Sequence, residues 1–191
     1  MTDKTTRERI VEAADLLFYQ QGYEQTSFSN VAEAVGITRG NFYYHFKTKD
    51  EILDAVIGRR LASTSEMLAG WERKGDGPED RLLCFVDMLT ANRAKIMKYG
   101  CPVGTLCTEL AKLDHRSRDD ANKVFLLFRS WLRKQFELLG KAGQADDLAM
   151  HLLTRSQGVA TLANAFHNEG FIQKEVAALR DWIKGARPCL S

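Results

Sequence analysis

The stretch that decides the fold is SFSNVAEAVGITRGNFYYHF, residues 27–46. Ser27 or Ser29 can cap a short helix that ends at Gly36, and Thr38 can cap a second short helix directly after it. Two short helices joined by a tight turn that contains glycine form a helix-turn-helix, the geometry in which a protein lays its second helix into the major groove of DNA. The sequence therefore predicts a helix-turn-helix near the N-terminus.

Apolar residues recur with helical spacing on both sides of this stretch. Upstream, residues 5–21 place Ile10, Ala14, Leu17 and Phe18 on one face. The segments predicted as helices downstream are 49–73, 79–99, 104–113, 117–140, 146–168 and 172–185. The expected fold is all-α, with about nine helices.

Bulk composition excludes several classes of protein. Hydrophobic residues make up 45% of the 191 and charged residues 27%, and 27 basic against 25 acidic residues leave a net charge of +2. No apolar run approaches the roughly 18 residues that span a bilayer, and the charged, periodic start is unlike a signal peptide. We expect a cytoplasmic protein with no membrane association.

Cysteine and histidine show no pattern typical of a metal site. Cys84, Cys101, Cys107 and Cys189 have no zinc-like spacing, and the four histidines are equally scattered. We expect free thiols, no metal, no cofactor and no catalytic residues.

Charge is concentrated locally around the second short helix. Between Glu33 and Asp50 the basic residues are Arg39, Lys47 and Lys49 and no residue is acidic, whereas residues 1–60 as a whole hold 8 basic and 9 acidic residues. A window that contains only cations, in a segment of balanced charge, indicates a surface that binds phosphates.

The chemistry of this window fits DNA binding. Thr38 and the helix N-terminus can bind phosphate, Gly40 permits close approach, and Arg39 and Asn41 carry donors that can reach base edges. The predicted contact residues are Ser27, Thr38, Arg39, Gly40, Asn41, Tyr43, Tyr44, His45, Lys47 and Lys49. The alternative is that the tyrosines are core aromatics and the lysines an ordinary solvated face.

Residues 7–57 resemble the DNA-binding domain of the TetR family of repressors. The motifs that carry the resemblance are Phe18-x-x-x-Gly22-Tyr23, Thr26-Ser27, VAEAVGI at 31–37 and YYHFKTK at 43–49. Phe28 departs from the pattern, since many members have threonine or a small residue there, so Ser27 or Ser29 is left to contact phosphate.

The resemblance implies a homodimer that binds double-stranded, palindromic operator DNA and responds to a small-molecule effector. It divides the chain into a DNA-binding domain at 1–48 and a ligand-binding and dimerisation domain at 49–191. It also implies that the last two long helices form a four-helix bundle with the same two helices of the second subunit. The apolar stripes expected there are Leu148, Leu152, Val159, Ala163 and Phe166, then Ile172, Val176, Leu179 and Ile183, with small residues Gly158, Ala160, Ala163 and Ala165 for close packing. Alternatively, these stripes face the chain's own core.

The segment YGCPVGTLCTEL, residues 99–110, is the most distinctive part of the C-terminal region. It places Cys101 close to a helix N-terminus, where the helix dipole favours a thiolate, and Lys95 and Lys98 lie nearby in sequence. The pattern Gly-Cys-x-x-x-x-Leu-x-x-Glu resembles a subgroup of TetR-type repressors that includes members responsive to electrophiles and oxidants. Cys101 is therefore a candidate sensor, or else a small apolar residue of a core or pocket wall.

The remaining effector contacts are predicted by residue type alone. The candidates are Tyr99, Leu106, Phe128, Trp131 and His167, with Met97, Phe125 and Asn164 in support, and each is equally suited to the core. Two other functions stay open. One is a thiol enzyme that uses Cys101 or Cys107 with His115 or His167, and the other is a dimeric scaffold that does not read DNA.

Overall fold

The computed structural model describes residues 4–185 and confirms the all-α prediction for them. This part of the chain contains no strand. Its helices are α1 Thr6–Gln21, α2 Phe28–Val35, α3 Arg39–His45, α4 Lys49–Lys74, α5 Pro78–Ala91, α6 Arg93–Tyr99, α7 Pro102–Lys112, α8 Arg118–Leu138, α9 Ala145–Phe166 and α10 Glu169–Gly185, with a 3-10 turn at Ala142–Gln144. No helix within 4–185 is both long and apolar enough to span a bilayer.

Side-chain caps define the first helices, as the sequence indicated. The Ser27 hydroxyl accepts from the Asn30 N–H in a reciprocal capping box, which makes Ser27 rather than Ser29 the cap of α2. Thr38 caps α3 through the Asn41 N–H. Gly36 ends α2 in the left-handed conformation, with φ of 73°. These caps fix where the turn between α2 and α3 begins and ends.

The segment predicted as one helix over 79–99 is broken at Asn92, and this part of the prediction is wrong. Asn92 lies between α5 and α6 at φ −104° and ψ 11°, outside the α-helical region. Its side-chain amide donates to the Met88 carbonyl over 2.9 Å. An asparagine side chain that bonds a backbone carbonyl competes with the helical ladder. The helix is therefore interrupted within a segment whose apolar spacing is continuous.

One compact unit contains the helix-turn-helix and a segment distant from it in sequence. It comprises residues 4–63 and 103–124, and so combines α1, α2, α3 and the first half of α4 with α7 and the start of α8. Its buried side chains include Ile10, Phe18, Val31, Phe42, Phe46, Ile52, Leu53, Leu106 and Leu110. Burial of such side chains stabilises each by about 1.5–3 kcal/mol relative to exposure.

The second unit comprises residues 64–102 and 125–185. In it α10 packs against α5 and α9, and α9 packs against α6. Its core includes Leu82, Phe85, Leu132, Phe136, Leu152 and Ile172. The predicted boundary between residues 48 and 49 separates a DNA-binding domain from a ligand-binding and dimerisation domain. It stays a prediction, because the two units described above are defined by packing and not by function.

Candidate nucleic-acid interface

Helix α3 presents one aromatic face to the core and another to solvent. Phe42 and Phe46 are each 1% exposed, whereas Tyr43 is 45% exposed and Tyr44 is 79% exposed. The Phe28 ring packs against the rings of Phe42 and Tyr43, with centroid distances of 5.2 and 5.5 Å. Phe28, the departure from the family pattern, thus supports α3 from beneath and leaves the two tyrosine hydroxyls at the surface.

The polar residues of α3 lie on the exposed side. Arg39, Gly40 and Asn41 are all exposed. The guanidinium of Arg39 donates to the Ser29 hydroxyl over 2.9 Å, which joins α3 to α2 across the turn. The Thr38 hydroxyl accepts from the Asn41 N–H and keeps its own O–H as a donor. This arrangement offers guanidinium, amide and hydroxyl donors on one surface.

The side chains of the two lysines after α3 contact neighbouring parts of the chain. Lys47 donates through Nζ to the Tyr43 carbonyl, and its backbone N–H donates to Glu51 over 2.7 Å. The Lys49 ammonium lies 4.3 Å from the centre of the Tyr23 ring and donates to the Glu24 carbonyl over 3.1 Å. His45 is half-buried, with its ring 5.1 Å from that of Tyr44. Lys49 therefore contacts the α1–α2 turn, residues 22–27, in addition to lying in the cationic window.

Two arginines that the sequence analysis did not single out support the helix-turn-helix. Arg9 of α1 donates to the Val35 carbonyl over 2.7 Å and so satisfies a carbonyl at the end of α2. Arg60 of α4 is only 8% exposed and binds Asp15 of α1 over 2.7 Å. Their charge alone gave no signal, because arginine at such positions is equally typical of a solvated helix face.

Tyr23 is the centre of a polar cluster within the same unit. Its hydroxyl donates to Asp50 over 2.7 Å and lies 3.3 Å from His115 Nε2. Burial, followed by the hydrogen bond to Asp50, raises the pKa of Tyr23 far above its ordinary value. The hydrogen bond from Tyr23, and then that from Arg116, lowers the pKa of Asp50. Tyr23 belongs to the motif Phe18-x-x-x-Gly22-Tyr23, which by itself indicates no role for its hydroxyl.

The candidate effector residues are distributed over both units. Leu106 lines a small cavity of about 10 Å³ in the first unit, together with Ile57, Arg60, Val103, Cys107, Ala121 and Val124. In the second unit the Phe128 ring packs on Phe85 and the Trp131 ring on Trp71, with centroid distances of 5.6 and 5.5 Å. Tyr99 is half-buried and His167 is exposed at the end of α9. Their grouping into one effector site stays a prediction.

Cys101 is half-buried and directly precedes α7, which begins at Pro102 rather than at 104. Within residues 4–185 Cys84, Cys101 and Cys107 form no disulfide, and Cys189 lies outside the described residues. His115 accepts at Nδ1 from the Ser117 N–H over 3.1 Å, while its Nε2 lies beside Tyr23 and Asp50. Because both ring nitrogens have these partners, His115 is poorly suited to activate a cysteine as the thiol-enzyme alternative requires.

Most of the apolar stripe predicted for dimerisation faces the chain's own core. Seven of its nine residues are buried within the second unit: Leu152, Val159, Ala163, Ile172, Val176, Leu179 and Ile183. An oblique row of α9 residues is exposed instead, at positions 150, 154, 158, 162 and 166, and it winds about 160° around the helix from its first to its last position. In this row Met150 is 39% exposed, Leu162 43% and Phe166 68%. The periodicity correctly gave apolar helices but did not distinguish the two apolar faces of α9.

The short α2, the turn at Gly36 and the exposed α3 define a helix-turn-helix. Comparison with known proteins agrees, since residues 10–56 match the model of the bacterial regulatory proteins of the tetR family. An uncharacterised helix-turn-helix transcriptional regulator of Lactococcus lactis is 32% identical over 124 residues, which are 64% of this chain and 63% of that protein. The regulator TtgR of Pseudomonas putida is 42% identical over 64 residues, 34% of this chain and 30% of that one. The chain thus spans less than two thirds of either relative.

Solved structures extend the likeness in fold to nearly the whole chain. A TetR transcriptional regulator from Legionella pneumophila superposes with a TM-score of 0.84 at 24% identity, covering 98% of this chain and all of that one. The reduced form of E. coli NemR gives 0.78 at 18% identity, covering 93% and 96%. The family model matches the N-terminal helices alone, whereas the solved structures show the same fold over nearly the whole chain.

Proposed function

We propose that the chain is a homodimeric, sequence-specific transcriptional regulator, a repressor released from a palindromic operator by a small-molecule inducer or by modification of Cys101. The observation that carries the proposal is the surface of α3. Arg39, Asn41, Tyr43 and Tyr44 are exposed there, and no acidic residue occurs between Glu33 and Asp50. Guanidinium and amide groups read base edges, while hydroxyl groups and cations bind phosphates.

Homodimerisation is supported by the exposed face of α9. Leu162 and Phe166 expose apolar surface beside Gly158 and Ala165, whose small side chains permit close helix packing. A self-complementary patch forms a dimer about a two-fold axis, and a two-fold dimer of helix-turn-helix proteins binds inverted half-sites about 34–36 Å apart. This geometry is what requires the operator to be a palindrome.

Two features support an effector. Gln135 of α8 is fully buried, and neither its amide nitrogen nor its amide oxygen has a hydrogen-bond partner in the described protein. Buried polar groups are nearly always satisfied, so a ligand with a donor and an acceptor would find complementary atoms at Gln135. Cys101 offers a second, covalent route, because it directly precedes α7.

The experiment is a titrated DNA-binding assay with the whole chain on the promoter fragments that flank its gene, across a salt series. Each titration is repeated after treatment with N-ethylmaleimide. We expect tight binding to one palindromic fragment, steeply weakened by salt, and release by the thiol reagent. No specific binding to any fragment, in protein shown to be folded and free of co-purified ligand, would contradict the proposed function.

Cysteine variants separate the two routes of induction. Cys101→Ser should abolish the response to N-ethylmaleimide, whereas Cys84→Ser should retain it, because Cys84 is half-buried within α5 and burial raises the pKa of its thiol. An unchanged response in Cys101→Ser would assign the response to another thiol, whereas wild-type DNA binding that ignores the reagent would assign induction to a reversible ligand. Gln135→Leu then provides the test for that ligand, since it removes both unsatisfied polar atoms at similar volume.

A further inference from the structure

The carboxylate of Glu109, on α7, binds the turn that leads into the helix-turn-helix. Its Oε2 accepts from the Tyr23 N–H over 2.9 Å and its Oε1 from the Glu24 N–H over 2.8 Å. An ionised carboxylate that accepts from two successive backbone N–H groups forms charge-assisted hydrogen bonds, which are about twice as strong as neutral ones. These two contacts join residues 86 and 85 positions apart in the sequence.

Gly22 provides the space for this carboxylate. A Cβ atom at position 22 would lie 3.0 Å from Oε1 and 3.2 Å from Oε2 of Glu109, and the backbone there has φ of +92°. Any other residue would be strained and would displace the carboxylate. Gly22 therefore has a role beyond ending α1, and positions 22 and 109 are sterically matched.

The same turn is attached to α4 and to the α7–α8 connection. The Tyr23 hydroxyl donates to Asp50 in the first turn of α4, and Arg116 binds Asp50 and Asp54 over 3.0 and 2.9 Å. Ser117 also donates to Asp54, over 2.9 Å. Tyr23 is 4% exposed, so its backbone and hydroxyl contacts lie largely shielded from water. The turn is consequently held from two directions, by α7 and by the start of α4.

We propose that Glu109 is a positioning residue that couples α7 to the DNA-reading helices, an inference that rests on the proposed function. The turn that Glu109 holds leads directly to the Ser27 cap of α2, and α2 contacts α3. Helix α7 begins directly after Cys101 and reaches Glu109 within two turns. A displacement of α7, whether from a ligand or from modification of Cys101, is passed through this carboxylate to α2 and α3.

Coupling of this kind is reciprocal. If two positions of α7 differ by some factor in the affinity of the helix-turn-helix for DNA, DNA binding must shift the equilibrium between those two positions by the same factor. Operator binding should therefore slow amide hydrogen exchange in residues 103–112, none of which is a predicted DNA contact. A contact with only a structural role would change stability without transmitting this effect.

The test is hydrogen exchange by mass spectrometry on the whole chain, with and without the palindromic fragment. In the wild type we expect slowed exchange in α7 on DNA binding, and in Glu109→Gln we expect that slowing to be lost while DNA still slows exchange in α3. Glu109→Asp, which keeps the charge but has a shorter reach, should retain part of it. Tyr23→Phe should retain it, because the backbone N–H groups remain.

The outcomes separate the inference from the function beneath it. Wild-type protein that does not bind DNA contradicts the proposed function itself. Binding without any effect on α7, or an effect that persists in Glu109→Gln, overturns the inference while the regulator stands. If Glu109→Gln does not fold, Glu109→Asp decides: a reduced effect on α7 supports the coupling and an unchanged effect overturns it. Glu137→Gln, at an exposed carboxylate of α8, is the matched control for loss of one negative charge.

Discussion

Helices α3 and α9 both expose large side chains, but the chemistry of the two surfaces differs. On α3 the exposed groups are hydroxyl, amide and guanidinium, above phenylalanines that are almost fully buried. On α9 the exposed residues at intervals of four are Met150, Thr154, Gly158, Leu162 and Phe166, and Thr154 is the one among them with a polar side chain. Donors suit a polyanion, and an apolar stripe suits a second apolar stripe. Exposed large side chains on both helices therefore indicate surfaces that bind partners. The type of the exposed side chains indicates DNA for α3 and a second copy of the chain for α9.

The largest expected effect comes from charging the stripe of α9. Leu162→Glu combined with Phe166→Glu should convert the dimer to a monomer, because both residues are exposed in the single chain and would place like charges across the two-fold axis. Loss of the second reader should weaken operator binding by about 10²–10⁴-fold. Analytical ultracentrifugation and binding titrations measure the two effects. Leu126→Glu, at another exposed leucine, is the control, and a dimer that survives the double change would refute the proposed interface.

A smaller effect is expected from α3 itself. Arg39→Ala and Asn41→Ala should each cost about 1–3 kcal/mol of operator affinity, or roughly 5- to 150-fold. The loss should be confined to certain base pairs, so the ratio of specific to non-specific affinity falls. Titrations on a panel of operators with single substitutions measure this ratio. Equal losses on every sequence would mean that these side chains contact only phosphates.

Lys49→Gln should weaken binding to all sequences by a similar factor. The slope of log affinity against log salt should fall by about 0.9 for each phosphate contact removed. Since the Lys49 ammonium also lies against the Tyr23 ring, an unchanged slope would show that it acts only by holding the α1–α2 turn. Lys95→Gln, an exposed lysine of α6, should alter neither affinity nor slope.

The smallest effect is on the pH dependence of folding stability, through the contacts of Asp50 with the helix-turn-helix unit. Hydrogen bonds from Tyr23 and then Arg116 hold the pKa of Asp50 below its ordinary value of 3.8. A lowered pKa in the folded state stabilises the fold at pH above that ordinary value, and the stabilisation disappears as pH falls through the folded pKa. Asp50→Asn should therefore be less stable than wild type at pH 7. The difference should shrink as pH falls below the ordinary value and through the folded pKa, as measured by urea unfolding at fixed protein concentration; a constant difference would assign it to packing.

The helix-turn-helix could be predicted closely because its signals are local. Caps at Ser27 and Thr38, the turn at Gly36 and the burial of Phe42 depend on residues only a few positions apart. The break at Asn92 could not be predicted, because apolar spacing continues through it and the competing bond to Met88 depends on the local backbone. Of the two alternatives left open for the stripe of α9, the structure supports burial in the chain's own core for Leu152, Val159 and Ala163, since a helix with two apolar sides gives no signal for which one its own chain covers.

By itself the sequence determined an all-α chain, a helix-turn-helix at residues 27–46 and a cationic window beside it, because helix periodicity, capping and charge act over a few residues. Only the tertiary structure decided that α7 lies in one unit with the helix-turn-helix, that Glu109 binds the Tyr23 and Glu24 N–H groups, and that Gly22 leaves room for it. Contacts between residues more than eighty positions apart depend on how the helices pack, and helix packing follows from shape and burial that no local pattern contains.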